Sequence, residues 1–464
     1  MVPVGLAYLS AYLKERMGDR VETRIVSTLV DLEKPEDIKD VLRQFSPHVV
    51  GIRWVVFYTA VVEHLLELSR QIAPRALRVL GGPQVTGEPD SVLPETADVF
   101  VRGEGEGAFG EIVERLLQYG RDDLFSHLPS VKGIAFRAAG RLIRNVDREP
   151  LAELDQLPIP DYTIIDMAKY KDYLNFGYNR RPMGALFTSR GCPYHCIYCH
   201  RIFGKRFRAR SAATVYDEIS YLNRHYQIND FSIVDDNFNF DKARVEELSK
   251  LLVTKGPRVN LYFPNGLRGD LLSFDLFDRL VDAGMIYVSF SLETASPRLQ
   301  KLIKKNINIG KLKEMVDYSC EKGVITNLAM MVGFPSETVE EARYSLEYFA
   351  QFKKVALPYY FSVKYYPGTE LYRLAEQFGV SIDPEVYDSP YHGYQFQESP
   401  TISKKDFEEL NRWYLRNIFL DSHRIRNAVK ILSRHFTSEE INEIFSLFLR
   451  RPIKNIEADV ISKY

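Results

Sequence analysis

Apolar positions along the first 120 residues switch repeatedly between helical and extended spacing. Leu6, Leu9 and Leu13 recur at helical intervals over 5–16. Residues 21–27 are rich in β-formers, which predicts a strand. Pro35 opens a helix in which Ile38, Val41, Leu42 and Phe45 share a face. A continuous apolar run at 48–52 reads as a buried strand, and 60–72 as a helix. Two more short strands follow, 77–80 and 99–102. The first runs into Gly81-Gly82-Pro83 and the second into Gly103-Glu104-Gly105-Glu106-Gly107, before a helix to about 119. Strand–helix units with mostly apolar strands predict a parallel, doubly wound α/β sheet. Such a sheet carries its ligand outside the carboxyl ends of its strands, where both glycine-rich turns fall.

Residues 131–146 read as a hairpin turning at Ala139-Gly140, and Pro150, Pro158, Pro160 and Pro182 punctuate a linker. A second series of alternating elements follows. Its candidate strands are 185–189, 231–234, 260–263, 287–291, 326–332 and 360–365. Six such units predict an incomplete (β/α)6 barrel with its chemistry at the carboxyl ends of the strands. From 382 onward the pattern is helical, with helices at 403–416, 423–435 and 438–449 expected to pack on the barrel. The division expected is 1–125, 126–182, 183–380 and 381–464.

Composition narrows the function. Lys and Arg number 61 and Asp and Glu 62, so the net charge of −1 offers no whole-chain attraction to nucleic acid. Four cysteines in 464 residues are too few for a disulfide scaffold. The most apolar stretch, 49–68, is broken by Arg53, Glu63 and Glu67 and is not a membrane span. The start has no basic segment ahead of an apolar run, so the expected setting is the cytoplasm.

Three cysteines stand close together in Arg190-Gly191-Cys192-Pro193-Tyr194-His195-Cys196-Ile197-Tyr198-Cys199-His200. Thiolates are soft ligands that suit iron–sulfur clusters or zinc. Three on one loop can hold three corners of a [4Fe-4S] cube and leave the fourth iron open. The competing reading is structural zinc, with His195 or His200 as fourth ligand, but the spacing differs from paired Cys-x2-Cys. Cys320 lies in a helical stretch and reads as a buried small hydrophobe.

Cys-x3-Cys-x2-Cys with Tyr198 before the last cysteine resembles the radical S-adenosylmethionine (SAM) superfamily. Five later segments carry the resemblance in order: Asp235-Asp236-Asn237-Phe238, Asn265-Gly266-Leu267-Arg268, Ser291-Leu292-Glu293-Thr294 followed by Lys304-Lys305, Gly333-Phe334-Pro335-Ser336-Glu337-Thr338 and Pro367-Gly368-Thr369-Glu370-Leu371. The resemblance implies that Cys192, Cys196 and Cys199 hold the cluster. It implies SAM contacts from Tyr198, Asp235, Asp236, Asn237, Asn265, Arg268, Glu293, Gly333, Phe334 and Pro335. Asp241 is the better helix cap, which leaves Asp235 and Asp236 available to a ligand.

The N-terminal region resembles the cobalamin (B12)-binding domain found ahead of many radical SAM barrels. That resemblance implies cobalamin contacts from Trp54, Gly81, Gly82, Pro83, Gln84, Gly103, Glu104 and Gly105. No Asp-x-His-x-x-Gly motif occurs, so no histidine ligand to the corrinoid is indicated. The first strand of the fold is also missing ahead of the first helix. In doubly wound sheets that strand is interior, and its loss would leave buried backbone groups unpaired. Either the native protein begins earlier than Met1, or the domain no longer binds cobalamin.

The activity implied is reductive cleavage of SAM to a 5′-deoxyadenosyl radical, with cobalamin-dependent C-methylation of a small-molecule or peptide substrate. A flavodoxin or ferredoxin is the implied electron donor. A cobalamin-dependent cyclase or rearranging enzyme, a radical SAM enzyme with a structural N-terminal domain, and a non-catalytic metal–sulfur module stay open. Lys205, Arg206, Arg208 and Arg210 could face an anionic substrate or a reductase.

Overall fold

The computed structural model describes residues 2–55, 58–87, 93–172, 181–200, 202–383 and 396–453. Its first sheet contains β1 (Val49–Arg53), β2 (Leu77–Gly81), β3 (Val99–Val101), β4 (Ile134–Ala138) and β5 (Arg141–Arg144), in that spatial order. The first three run parallel, with Ile52 beside Leu80 and Val79 beside Val99. Alternate side chains serve opposite faces. Val79, Val99 and Val101 pack against Ala108 and Ile112 of the helix Gly105–His127. Leu80 and Phe100 pack against Val62 and Leu66 of the helix Thr59–Ile72. Burial on both faces explains why β3 reads as an unbroken apolar run, whereas β2 carries the half-buried Arg78 and the edge strand β1 leaves Gly51 and Arg53 exposed.

Three departures from the sequence pattern are seen, two of them set by strand pairing. The strand expected at 21–27 is absent: these residues form neither helix nor strand. A strand exists only with a ladder beside it, and among the described residues β1 is the outer edge of the sheet. The hairpin at 131–146 does more than connect the domains, because β4 pairs antiparallel with β3 and extends the first sheet. The long helix reaches His127 instead of ending near 119, with a break at Gly120.

The second sheet holds β6 (Met183–Leu186), β7 (Asp230–Ile233), β8 (Asn260–Phe263), β9 (Met285–Glu293), β10 (Ile325–Val332) and β11 (Leu357–Ser362). All pair parallel and in chain order, as a six-stranded partial barrel does. Helices lie outside: the Thr326 hydroxyl meets that of Ser319, on the helix Ile309–Glu321, at 2.7 Å. The neighbouring Asn327 therefore faces inward, where it accepts from Ser289 at 2.7 Å. Leu410, Tyr414, Ile418 and Leu432 from the C-terminal helices join the barrel core, and so does buried Cys320. No helix among the described residues is long and apolar enough to cross a membrane.

Candidate functional site

All three clustered cysteines ride on one loop at the carboxyl end of β6. Ser189–Arg190 pairs antiparallel with Arg208–Ala209, a two-residue ladder that forms the neck of this loop. Gly191 turns the chain there at φ +83°, and a Cβ would lie 2.3 Å from the Arg206 carbonyl oxygen, so only glycine fits. Beyond the neck the loop is stitched to the end of the helix Pro297–Leu302 and the start of the helix Glu370–Gln377. Ile197 N–H donates to Ile303 O at 3.1 Å, and Leu371 N–H donates to Ile197 O at 3.0 Å.

Cys196 is buried, Cys192 half-buried and Cys199 open to solvent on one side. The surrounding chain nonetheless pushes the Cys199 thiol up to about 12, and it raises Cys192 as well. In both cases the charge of Cys196 acts in the same direction. Three thiolates here repel one another, so they are stable as a set only against a positively charged partner. Among the described residues no three His, Cys, Asp or Glu side chains converge as a site for one ion. Three thiols on one loop form a soft donor set that suits an iron–sulfur cluster.

Beside the loop lies a buried carboxylate. Glu293 is 6% exposed, at φ +64°, where β9 and β10 shift register. It accepts from the Tyr198 hydroxyl at 3.0 Å and from Lys305 Nζ at 2.9 Å. Burial raises the Tyr198 hydroxyl, and the Glu293 charge adds to it. The same charge raises Lys305 although burial opposes it. A bulge carrying a strained non-glycine residue is a common device for aiming a side chain at a site.

After β10 the turn Gly333-Phe334-Pro335 is buried. Glu337 Oε2 accepts from Gly333 N–H at 2.6 Å and from Phe334 N–H at 3.0 Å. Burial pushes the Glu337 carboxyl up to about 8, so the turn is held by a largely protonated acid at neutral pH. The Phe334 ring stands 6.5 Å from that of Tyr198.

The paired aspartates after β7 part company. Asp235 is 2% exposed and accepts from Thr188 N–H at 2.6 Å, Thr188 Oγ1 at 2.5 Å and Ser189 Oγ at 2.6 Å. It is thus consumed by the chain between β6 and the neck, contrary to the reading that left both aspartates free. Asp236 is exposed and accepts from Gly191 N–H at 3.2 Å, beside the first cysteine. Asn237 is buried with its Nδ2 unpartnered, the kind of atom a ligand would satisfy. Asp241 caps the next helix as expected. Asn265 binds the Val234 carbonyl at 2.8 Å and bridges two strand ends. Arg268 is held by Asp270 at 2.9 and 2.8 Å and stacks 4.2 Å over the Tyr194 ring, inside the cysteine motif.

At the first sheet the glycine turns abut the barrel mouth. A Cβ on Gly87 would lie 3.4 Å from Pro367 O and 3.7 Å from the His200 ring. Trp54 is buried and donates to Thr59, and a Cβ on Gly82 would meet the Trp54 carbonyl at 2.9 Å. Gly81, Pro83 and Gln84 continue this turn, whose Thr86 hydroxyl accepts from Gly103 N–H at 3.0 Å. Gly105 packs on Leu9. Glu104 is not turned to a cofactor: it pairs with Arg208 at 2.6 Å and with Arg190 at 3.6 Å. Gly103, at φ +72°, borders open space. A cavity of about 520 Å³ opens where the chain leaves β1, lined by Thr28, Leu29, Val30, Asp31, Tyr58 and Val61. Leu29 is 59% exposed and Tyr58 39% exposed.

The basic run after the loop is mostly internal. Arg208 and Arg210 are buried and paired with Glu104 and Glu218, so neither faces a substrate or a reductase. Lys205 donates to the Tyr194 carbonyl, and Arg206 is exposed. Lys364, two residues past β11, is 7% exposed, and burial pulls it down to about 7. Lys364 stands out only in the folded chain, and the burial of Glu337 does too, although Glu337 lies within the segment 333–338 that carries the resemblance.

The Radical SAM superfamily profile matches residues 186–349, and the B12 binding domain profile matches residues 1–113. The uncharacterized methyltransferase PH0819 of Pyrococcus horikoshii is 30% identical over 385 residues, spanning 80% of this chain and 78% of its own. Cytidylyl-2-hydroxyethylphosphonate methyltransferase of Streptomyces wedmorensis is 28% identical, over 82% of this chain and 79% of its own. Among solved structures, the radical SAM methyltransferase TsrM from Kitasatospora setae, with cobalamin and a [4Fe-4S] cluster bound, aligns with a TM-score of 0.70. That match covers 89% of this chain and 88% of TsrM at 18% identity, so it shows a shared fold.

Proposed function

Because this chain belongs to the radical SAM superfamily, in the branch with an N-terminal B12-binding domain, we propose that it is a cobalamin-dependent C-methyltransferase. The observation that carries this reading is the single loop of three cysteines at the end of β6, ringed by the ends of the other barrel strands and abutted by the glycine turns of the first sheet. Both curated relatives described above are methyltransferases by name, which supports methyl transfer as the outcome.

In this reading Cys192, Cys196 and Cys199 hold the cluster, residues 183–380 hold SAM, and residues 1–125, with the following hairpin, hold cobalamin. Bound there, the cluster supplies the electron for reductive cleavage of SAM and the corrinoid serves as methyl carrier. Asp236 and Asn237 offer polar atoms to the amino group of SAM, and Glu293, braced by Tyr198 and Lys305, to its ribose. The Gly333–Pro335 turn, held by Glu337, walls the adenine. Lys364 Nζ can accept or release a proton near neutral pH. Exposed Cys199 requires a reducing setting, as in the cytoplasm, and a flavodoxin or ferredoxin suits electron delivery.

The test is anaerobic reconstitution of the full chain with iron and sulfide, then addition of dithionite, SAM and cobalamin. Formation of both 5′-deoxyadenosine and S-adenosylhomocysteine is expected. Iron-loaded protein that forms neither would overturn the reading.

A further inference from the structure

The neck of the cysteine loop carries an electrostatic conflict that the barrel does not resolve. Arg190 and Arg208 are ladder partners, directly opposite each other. Like charges so placed repel. Both are buried, at 4% and 5% exposed. The compensating charges come from the other domain. Glu104 pairs with Arg208 at 2.6 Å and Arg190 at 3.6 Å, and Glu106 pairs with Arg190 at 2.6 Å. Glu104 and Glu106 are themselves 9% and 5% exposed. The backbone of Leu151 completes the arrangement: its N–H donates to Glu104 at 2.9 Å, and its carbonyl accepts from Arg208 at 2.7 Å. Arg208 also donates to the Phe203 carbonyl, inside the cysteine loop, at 2.8 Å. Tyr8 and Phe203 lie 5.6 and 5.2 Å from the Arg190 guanidinium.

We propose that Glu104 and Glu106 are positioning residues for the iron–sulfur site: they clamp the Arg190–Arg208 neck, so the N-terminal domain sets the shape of a loop that belongs to the barrel. This rests on the reading of Cys192, Cys196 and Cys199 as cluster ligands. Removing one partner of a buried ion pair strands the other charge, whereas removing both does not. Glu104→Gln leaves Arg208 stranded against Arg190, and adding Arg208→Gln relieves it.

The full chain and its variants are reconstituted anaerobically with iron and sulfide. Iron per chain is counted, and the electron paramagnetic resonance of the reduced cluster is recorded before and after SAM. Glu104→Gln is expected to retain about half the wild-type iron or less, and to weaken the spectral change on adding SAM. Glu104→Gln/Arg208→Gln is expected to recover both. Wild-type iron and an unaltered SAM response in Glu104→Gln would overturn the clamp, as would a double variant no better than the single. Should Glu104→Gln fail to fold, Glu104→Asp keeps the charge but shortens its reach. Its 191–207 loop should then be cut faster than the wild type by a protease of broad specificity, and equal cutting would overturn the clamp. Wild-type protein that takes up no iron would contradict the cluster reading, and the proteolysis comparison would still decide the clamp.

Discussion

The Tyr198 hydroxyl donates to Glu293 at 3.0 Å, a bond that ties the cysteine loop to the end of β9. Glu293 keeps Lys305 as a second partner. A hydrogen bond to a charged group contributes about 1.5–3 kcal/mol. Tyr198→Phe should therefore leave iron content unchanged while weakening SAM binding about tenfold or more, by equilibrium dialysis. Lys305→Met strands the buried carboxylate and should cost more, about 3–5 kcal/mol of stability.

Asp235 and Asp236 should separate cleanly. Asp235→Ala deprives Thr188 and Ser189 of their buried acceptor. A loss of about 3 kcal/mol or more is expected by denaturant unfolding. Asp236→Ala should stay within about 0.5 kcal/mol of wild type, yet bind SAM more weakly. Equal destabilisation by both would contradict the division of roles.

Glu337 makes stability pH-dependent. Its carboxyl is pushed up to about 8 in the native chain, above its ordinary value of 4.5. The native state therefore holds a proton that the unfolded chain releases as pH rises through this window. Its stabilising contribution is complete below the lower value and is lost as pH climbs toward the upper one, at about 1.4 kcal/mol per pH unit. Glu337→Gln keeps an acceptor for the Gly333 and Phe334 amides and has no proton to release. Melting temperatures of the two proteins between pH 5 and 8 should differ in slope, the variant being flatter; parallel curves would contradict it.

Gly191→Ala should prevent the neck from closing. The added Cβ meets the Arg206 carbonyl at 2.3 Å in a backbone conformation that disfavours it. Iron uptake should fall while the first sheet, measured by hydrogen exchange, stays protected.

The barrel was legible because its strands are buried on both faces, so that β8 reads as the run Asn260 to Phe263 and is observed so. The cysteine loop was legible because three closely spaced thiols mark a soft-metal site, and the later segments that resemble the radical SAM superfamily favoured a cluster over zinc. Residues 21–27 misled because β-propensity cannot supply a ladder partner. Asp235 and Asp236 misled because neighbouring residues at a strand end point to opposite sides, and sequence does not say which side is the site. Glu104 misled most: its glycine-rich setting suggested a ligand, while its true partners lie far along the chain, as Glu106 and Arg190 do at 84 residues apart.

The proposed activity requires the cysteine loop to present an open iron to SAM. The direct measurement is 5′-deoxyadenosine formed by reconstituted wild type and by Cys196→Ala under dithionite, counted per chain. Wild type should form it and the variant should not, with the fold of both intact by circular dichroism. Cleavage of SAM at the wild-type rate by Cys196→Ala would contradict the account.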